Sequence, residues 1–296
     1  MDLEIRPIAG GSFYVPGRVN VGVWVDGDSA ILIDSGGDEN AGRQLNRAIA
    51  GMGWKLEGIV NTHSNADHIG GNAYLQKKTG CWIAATSVES VLIERPRLEP
   101  TFLWGANPFA ELKNKFLEAQ PSKVERIIGS DGSIPGTPLR AVPLPGHFLD
   151  MVGVKSPDGV FYVADSVFSA EIVEKYRFIV TLDVGAALAT LDLLEADDAA
   201  FFVPCHADAG KSIRVATEAT RKGILLLSER VYDVLAAARS EEDVLAAVFE
   251  SWGLEMTPQQ FVLSRATLAA HLTHLASKGR IAPRVDGGRL LWERTQ

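Results

Sequence analysis

The 296-residue sequence is poor in cysteine and lacks any long hydrophobic run. Only Cys81 and Cys205 are present, which leaves no disulfide framework and favours a reducing compartment. The first residues, Met-Asp-Leu-Glu-Ile-Arg, lack the basic and then apolar pattern of a signal peptide, and no apolar stretch reaches the length of a membrane span. We therefore expect a cytoplasmic protein without a membrane partner.

The sequence also lacks a surplus of basic residues. Its formal net charge is −8, and the acidic excess precedes Arg221, because the segment from Arg221 onward holds 10 basic and 9 acidic residues. An acidic body followed by a nearly neutral segment argues against nucleic-acid binding driven by bulk charge. A small-molecule substrate is the expected partner, and nucleic acid is the less favoured alternative.

Strand-like and helix-like segments alternate through the first two thirds of the chain. Residues 21–25 and 30–33 are rich in strand formers and flank the turn Asp26-Gly27-Asp28, which is a hairpin pattern. Further strand-like runs lie at 58–60, 82–85, 139–142, 151–155, 160–163 and 200–203, and helical patterns at 38–50 and 68–78. The hairpins favour an α/β fold with a mixed sheet or two packed sheets over a purely parallel sheet.

Between residues 94 and 122 this alternation lapses. The first part contains two prolines, and Phe102, Leu103, Trp104 and Phe109 follow within eight residues. One interpretation is a surface segment that packs its aromatics onto the core. The other is a lid whose aromatics form the wall of an apolar substrate pocket, because long loops in compact domains are often functional.

The composition changes near residue 215. Alanine- and leucine-rich helices are predicted at 219–239 and 241–252, and a third begins at Thr257-Pro258, an N-cap followed by a first-turn proline. A short hairpin is predicted between residues 279 and 292. Three helices followed by a hairpin resemble a winged-helix domain. The predicted domains are therefore residues 1–215 and residues 216–296.

Candidate metal ligands follow the strands of the first domain. Residues 60–68, Val-Asn-Thr-His-Ser-Asn-Ala-Asp-His, place His63, Asp67 and His68 directly after an apolar strand. Three more candidates stand beside the ends of predicted strands, namely His147, Asp165 and His206. Imidazole and carboxylate are the ligands expected for zinc, iron or manganese, and α/β folds build sites from several strand ends. The sequence therefore predicts a metal site.

These residues resemble the motifs of the metallo-β-lactamase superfamily. Residues 62–68 match its H-x-H-x-D-H motif except at Asn65, and residues 32–36 resemble its early strand-Asp-turn. Residues 145–147, 164–165 and 205–206 match the later motifs in order and spacing. The resemblance covers about residues 10–210 and implies an α/β fold, an αββα sandwich with a metal site at one edge of the paired sheets. Some members carry an appended winged helix, which here would be a small α+β domain.

The resemblance also implies how the ligands are divided. One site would contain His63, Asn65 and His147. The other would contain Asp67, His68 and His206. Asp165 would bridge the two metals, and Asp34 would orient the ligand loop without touching a metal.

Asn65 weakens the first of these sites, because a neutral amide oxygen is a poorer donor to zinc than an imidazole nitrogen. Three occupancies follow: one zinc in the second site, two metals with the first held weakly, or one iron. For iron, His63, His147 and Asp165 would form the two-histidine, one-carboxylate triad of non-haem oxygenases. Zinc, in one or two equivalents, is the expected cofactor, with iron and manganese as alternatives.

Hydrolysis of an ester or thioester by a metal-activated water is the expected activity, with Asp67 as the acid/base residue. Thioester hydrolysis of the glyoxalase II kind rests on fold analogy. Persulfide dioxygenases of the superfamily, which use an iron site, supply the alternative. Lys175, Tyr176 and Arg177 are either a clamp for a substrate carboxylate or, as we favour, a solvated helix end. Cys205 is interpreted as a buried strand residue.

The sequence of the C-terminal domain is compatible with two roles, nucleic-acid binding and packing. Five cations lie on its third helix and hairpin, where a winged helix contacts DNA: Arg265, Lys278, Arg280, Arg284 and Arg289. Such a domain would make the protein nucleic-acid-binding or an endoribonuclease. The apolar stripe of Leu268, Leu272 and Leu275 would equally pack on the first domain or on the second copy of a homodimer, and we favour packing.

Overall fold

Two β-sheets pack face to face with helices on both outer sides in the computed structural model, which describes residues 3–129 and 131–295. This is the αββα arrangement that the resemblance implied. The strands are β1 (Arg6–Ala9), β2 (Ser12–Val15), β3 (Val21–Asp26), β4 (Ser29–Ile33), β5 (Lys55–Val60), β6 (Trp82–Ala85), β7 (Arg126–Ile127), β8 (Arg140–Pro143), β9 (Val152–Lys155), β10 (Val160–Phe168), β11 (Phe201–His206), β12 (Arg239–Ser240), β13 (Ile281–Asp286) and β14 (Arg289–Arg294). The helices are α1 (Glu39–Gly51), α2 (Ala66–Ile69), α3 (Asn72–Thr79), α4 (Ser87–Glu94), α5 (Leu98–Trp104), α6 (Ala170–Tyr176), α7 (Val184–Ala196), α8 (Arg214–Val234), α9 (Glu241–Trp252) and α10 (Pro258–Ser277).

The first sheet has seven strands in sequence order, β1 to β7. Its first four strands are antiparallel, and β4, β5, β6 and β7 are parallel to one another. The sheet is therefore mixed, as the hairpin pattern predicted. The carboxyl end of β5 leads directly into the motif of residues 62–68, so that the parallel half of this sheet carries His63, Asp67 and His68.

The second sheet has four strands in the order β11-β10-β9-β8, with β10 and β11 parallel. The expectation that Asp165 follows a strand is wrong. Strand β10 continues to Phe168, and Asp165 lies inside it. The ladder to β11 is irregular between Tyr162 and Ala164, and Ala164 has a φ of +51°. This left-handed residue interrupts the alternation of the strand directly before Asp165.

Three apolar layers hold the sandwich together. The layer between the sheets includes Ile31, Val60 and Val154. Leu45 and Ile49 of α1 pack on the outside of the first sheet, and Leu191 of α7 packs on the outside of the second. Helix α1 begins where Asp38 accepts a hydrogen bond from the backbone N–H of Ala41, an N-cap that satisfies one otherwise unpaired donor.

The helix predicted over residues 68–78 is in fact two short helices, α2 and α3, separated at Gly70 and Gly71. A Cβ atom on Gly70 would lie 2.3 Å from the backbone carbon of Gly37, and one on Gly71 would lie 2.4 Å from the carbonyl oxygen of Ser35. The motif helix thus passes directly over the turn after β4, and only glycine permits this approach.

The segment of residues 94–122 differs from both interpretations. It contains α5 and a single 3-10 turn, Ala110–Leu112. Phe102, Trp104 and Phe109 stay partly exposed, whereas Leu103 and Leu112 are buried against Val262 of α10. The segment is therefore anchored to the C-terminal region by its aliphatic side chains.

The C-terminal region contains the predicted three helices and hairpin. Strands β12, β14 and β13 form a small antiparallel sheet, and one apolar cluster joins Val231 of α8, Val248 of α9 and Leu272 of α10. The boundary predicted after residue 215 falls inside α8, which packs on β10 through Ile224. The winged-helix assignment and this boundary stay predictions. None of the helices in the described ranges combines the length and hydropathy required to span a membrane.

Candidate metal centre

The predicted ligands converge at one edge of the sandwich. Six side chains from five elements take part: His63 from the loop after β5, Asp67 and His68 from α2, His147 from the loop between β8 and β9, Asp165 from β10, and His206 from the end of β11. Donor atoms of His63, His147 and Asp165 lie within 4.8 Å of one another, as do those of Asp67, His68 and His206. The second group contains the three residues that the resemblance implied, whereas the first contains Asp165 in the place of Asn65. That these residues bind metal stays a prediction.

The second group surrounds Asp165. Oδ2 of Asp165 lies 3.1 Å from Nε2 of His206, and its Oδ1 lies 3.2 Å from Nε2 of His68. Asp67 completes the set, with 3.5 Å between its Oδ2 and Nε2 of His206. The side chain of Asp67 is half exposed, whereas Asp165 is buried. Asp67 is therefore the residue of this group whose side chain is accessible to solvent.

The first group is closed by an amide instead of a third imidazole. Nε2 of His147 lies 3.6 Å from Oδ2 of Asp165 and 3.1 Å from Oδ1 of Asn65. His63 is fully buried, and the centre of its ring is 5.2 Å from that of His147. Asn65 thus turns its oxygen toward the donor atoms of the group.

The residues present fit a divalent metal ion. Among the described side chains, Nε2 of His63 is buried without a hydrogen-bond partner, and Nε2 of His68 and Oδ1 of Asp165 lie 3.2 Å apart without the geometry of a hydrogen bond. Leaving buried polar atoms unpaired costs about 1–3 kcal/mol each, and a bound cation satisfies such lone pairs. Nitrogen and oxygen donors in this proportion suit zinc, iron or manganese.

Hydrogen bonds to Nδ1 fix the orientation of the histidine rings. Oδ2 of Asp34 lies 2.9 Å from Nδ1 of His68, while Asp34 also accepts from the backbone N–H and the hydroxyl of Thr62 at 2.9 and 2.8 Å. Backbone carbonyl oxygens lie 2.8 and 3.0 Å from Nδ1 of His147 and His206. Because a carbonyl oxygen only accepts, these rings carry their proton on Nδ1 when neutral and present Nε2 to the site. Asp34 thus orients the ring of His68. Its carboxylate also lies within 4.8 Å of donor atoms of His68 and Cys205, and its role outside the metal coordination stays a prediction.

The four histidines fall into two pairs, one with lowered and one with raised pKa values. Burial lowers the pKa of His63 well below its usual value and also lowers the pKa of His147. Burial opposes protonation of His68 and His206 too, but the neighbouring carboxylates, Asp165 first and then Asp67, together outweigh it. The pKa of His68 is raised well above its usual value, and that of His206 is raised to about 10. The second group therefore has the stronger attraction for positive charge.

The same balance keeps the carboxylates ionised. Burial alone would raise the pKa of Asp165 and Asp67, but the neighbouring imidazoles His68 and His206 lower both. Ionised carboxylates are the form that binds a cation.

Two buried glutamates at the site escaped the sequence analysis. The carboxylate of Glu89 accepts from the backbone N–H of Ser64 at 2.9 Å and of Asp150 at 2.8 Å, and so joins the loops that carry His63 and His147. Glu99 of α5 accepts from the amide of Asn65 at 2.8 Å. Burial, and then the charge of Asp67, raise the pKa of Glu99 well above its usual value. No local pattern marks either residue, because both act across long sequence separations.

A cavity of about 1090 Å³ opens onto the centre. Asp67, His147, Asp165 and His206 contribute to its wall, as do Lys115, Phe116 and Leu117 of the segment 94–122 and Leu263 of α10. The aromatics expected to form this wall, Phe102, Trp104 and Phe109, do not contribute to it. The cavity is therefore bounded by the first domain, the anchored segment and the C-terminal region together.

The remaining candidates divide between cavity and core. Lys175 and Tyr176 lie on the cavity wall, whereas Arg177, at the end of α6, does not and instead lies 3.6 Å from Glu174. Cys205 is buried, and burial raises the pKa of its thiol to about 12. A thiol with that pKa is not an activated nucleophile, in agreement with its interpretation as a strand residue.

Similarity to characterised proteins extends over different parts of the chain. The profile of the family described as "Metallo-beta-lactamase superfamily" matches residues 14–206. A hydroxyacylglutathione hydrolase from Rhodopseudomonas palustris (strain BisB18) is 31% identical over 123 residues, which cover 41% of this chain and 38% of that protein. The match thus spans well under half the length of this relative.

Two solved structures resemble the whole fold. A beta-lactamase domain protein from Burkholderia ambifaria has a TM-score of 0.73 at 16% identity, covering 99% of this chain and 94% of that chain. A metallo-beta-lactamase family protein from Thermus thermophilus has a TM-score of 0.72 at 17% identity, covering 99% and 98%. Both likenesses include the C-terminal region. With the profile matching well over half of the residues, the chain belongs to the metallo-beta-lactamase superfamily.

Proposed function

We propose that the protein is a metal-dependent hydrolase that acts on a small-molecule ester or thioester. The observation that carries this proposal is the convergence of two groups of nitrogen and oxygen donors on Asp165, with buried polar atoms that a metal ion would satisfy. Membership of the superfamily implies divalent metal binding, and zinc suits the imidazole and carboxylate donors.

The side chains of the site have different roles in the proposed hydrolysis. A bound divalent ion supplies Lewis acidity and lowers the pKa of a coordinated water toward neutrality. Asp67, ionised and half exposed on the cavity wall, is placed to accept a proton from the attacking water and to return it to the leaving group. Asp34 and the carbonyl oxygens at Nδ1 hold the rings of the ligand histidines fixed during this exchange.

The thioester preference is supported by the relatives. Several hydroxyacylglutathione hydrolases match about two fifths of the chain. The cavity of about 1090 Å³ would also accommodate a small-molecule thioester, because ligand pockets commonly have volumes of about 300–1,000 Å³. Lys175 on the wall would pair with a substrate carboxylate.

A direct assay tests the proposal. Zinc-loaded protein should release free thiol from a hydroxyacylglutathione thioester, and Asp67→Asn should reduce kcat by roughly 100-fold or more, as expected for loss of an acid/base group. Glu57→Gln, an exposed substitution on β5, serves as the control and should leave kcat unchanged. Equal rates with and without metal, or no hydrolysis of any ester or thioester offered, would overturn the proposal.

One observation favours a second function. His63, His147 and Asp165 form a buried group of two histidines and one carboxylate, the ligand set of non-haem iron oxygenases. We propose iron-dependent oxidation of a persulfide as the alternative. Oxygen consumption with glutathione persulfide by iron-loaded protein, but not by zinc-loaded protein, would favour it. Thioester hydrolysis with zinc and no oxygen uptake with iron would exclude it.

For the C-terminal region we propose a packing role. Four of the five cations considered for nucleic acid are paired with carboxylates of the same region: Arg265 with Glu241, Arg280 with Glu229, Arg284 with Glu293 and Arg289 with Asp243. Val262 is fully buried against the segment 94–122.

A gel shift at low salt tests the alternative role in nucleic-acid binding, because binding to phosphates would be detected at low salt and would weaken steeply as salt is added. Elution volume in gel filtration would show whether a homodimer forms.

A further inference from the structure

The amide of Asn65 makes two different contacts. Its Nδ2 donates to Oε1 of Glu99 at 2.8 Å, and its Oδ1 lies 3.1 Å from Nε2 of His147. Glu99 is buried, with 4% of its surface exposed, and it belongs to α5, outside the motifs that carry the metal ligands. The contact therefore links the segment 94–122 to the first ligand group.

The hydrogen bond to Glu99 shows which half of the amide faces which residue. Oε1 of Glu99 accepts from Nδ2, so the NH2 half of Asn65 faces Glu99. The oxygen half is then turned toward His147. A neutral His147 donates from Nδ1 to the carbonyl oxygen of Val180, so its Nε2 presents a lone pair. Two lone pairs thus face each other without a proton between them, an arrangement that a cation stabilises.

We propose that Glu99 is a positioning residue that holds the amide oxygen of Asn65 toward the first metal site. Asn65 then supplies an oxygen ligand beside His63, His147 and Asp165 at the position where the superfamily motif has histidine. The inference rests on the metal-binding part of the proposed function and is independent of the reaction catalysed.

The helix that carries Glu99 also packs against the C-terminal region. Four residues after Glu99, Leu103 is buried in a cluster with Leu112, Leu117 and Val262 of α10. Helix α5 is therefore fixed by the C-terminal region at one point and by Asn65 at another. This connection explains how Glu99, from a segment without a clear sequence pattern, reaches the ligand loop.

Zinc titration of chelator-treated protein by calorimetry tests the proposal. The class of site that disappears in His63→Ala identifies the first site. Glu99→Ala should weaken zinc binding at that site by roughly 10- to 100-fold, the usual cost of removing a residue that orients a ligand, and should leave the second site unchanged. Glu111→Ala, an exposed change in the same segment, is the matched control and should change neither.

A second background separates orientation from general structural support. In Asn65→Asp there is no amide to orient, because both oxygens are equivalent. The new carboxylate would instead stand close to the carboxyl group of Glu99. Two such groups share a proton, and this proton would compete with the metal for the new carboxylate. Glu99→Ala should therefore weaken the first site when residue 65 is asparagine and strengthen it in the Asn65→Asp background. A purely structural role for Glu99 cannot produce this reversal of sign.

Three results would overturn the inference: equal weakening by Glu99→Ala in both backgrounds, no effect of Glu99→Ala on either site, or a wild-type protein that binds zinc only at the second site. Absence of all zinc binding would overturn the inference and the proposed hydrolase together. Zinc binding with the expected reversal, but without hydrolysis, would support the inference and contradict the hydrolase alone.

Discussion

Oδ2 of Asp34 lies 2.9 Å from Nδ1 of His68, and both side chains are completely buried. The same carboxylate accepts two hydrogen bonds from Thr62, at the start of the ligand motif. Asp34 has a φ of +64°, a left-handed conformation that is uncommon outside glycine. A strained turn after β4 therefore holds one ligand ring and the first residue of the ligand loop at the same time.

Asp34→Asn should weaken zinc binding at the second site by roughly 10- to 100-fold. The asparagine has one oxygen where Asp34 has two. If that oxygen accepts from Thr62, the NH2 group faces Nδ1 of His68, and if it accepts from His68, the NH2 group faces Thr62. Calorimetric zinc titration measures the loss, and Asp28→Asn in the exposed β3–β4 turn is the control. Unchanged affinity in Asp34→Asn would contradict the orienting role.

Zinc should stabilise the folded protein, because the ligand groups exist only in the native state. At a zinc concentration 100 times the dissociation constant, the free energy of unfolding should rise by about 2.7 kcal/mol. Asp165 contacts both groups, so Asp165→Asn should abolish most of this gain. Urea unfolding with zinc and with chelator provides the measurement. An equal gain in wild type and Asp165→Asn would show that zinc binds elsewhere.

The ligands could be predicted from the sequence because each stands in a short local pattern. His63, Asp67 and His68 share one motif, His206 ends β11, and His147 lies four residues beyond β8. Asp165 lies inside β10 and not, as the sequence predicted, after it, because the continuation of the strand past Ala164 depends on pairing with β11. The fold class followed from the same alternation of strands and helices.

What could not be predicted depends on contacts between distant segments. Glu89 reaches Ser64 and Asp150 across 25 and 61 residues, and Glu99 reaches Asn65 across 34. The break between α2 and α3 has a similar origin, because helix propensity carries no information on the backbone of Gly37 passing beneath Gly70. Tertiary packing decided each of these features, and single-sequence patterns do not record it.

Gly70→Ala should destabilise the protein by about 3 kcal/mol, at the upper end of the cost of overpacking. The added methyl group would lie 2.3–2.5 Å from backbone atoms of Gly37 and Asp38, which cannot move aside as a flexible side chain would. Gly51→Ala is the matched control, since a Cβ there meets no atom within 4 Å. It should be neutral or slightly stabilising, because alanine favours helix over glycine. Similar urea midpoints for the two variants would contradict the close approach.

Stability should fall below pH 6.5 through a histidine that belongs to neither ligand group. His271 of α10 is 1% exposed, with Nδ1 lying 2.8 Å from the hydroxyl of Ser228. Burial, and then the nearby His274, lower its pKa to about 3. Above pH 6.5 the ring is neutral in both the folded and the unfolded chain. Between pH 6.5 and 3 the unfolded chain binds a proton that the folded chain does not, so stability decreases as the pH falls.

The expected loss from this residue between pH 7.5 and 5 is about 2 kcal/mol, because each unit below the unfolded pKa contributes 1.36 kcal/mol. His271→Asn keeps a polar partner for Ser228 and removes the titrating ring. The variant should be less stable than wild type at pH 7.5, and the difference should shrink or reverse at pH 5. Urea unfolding in chelator at both pH values measures it, since zinc would add its own pH dependence. A difference between wild type and variant that is the same at both pH values would show that His271 does not titrate as its burial requires.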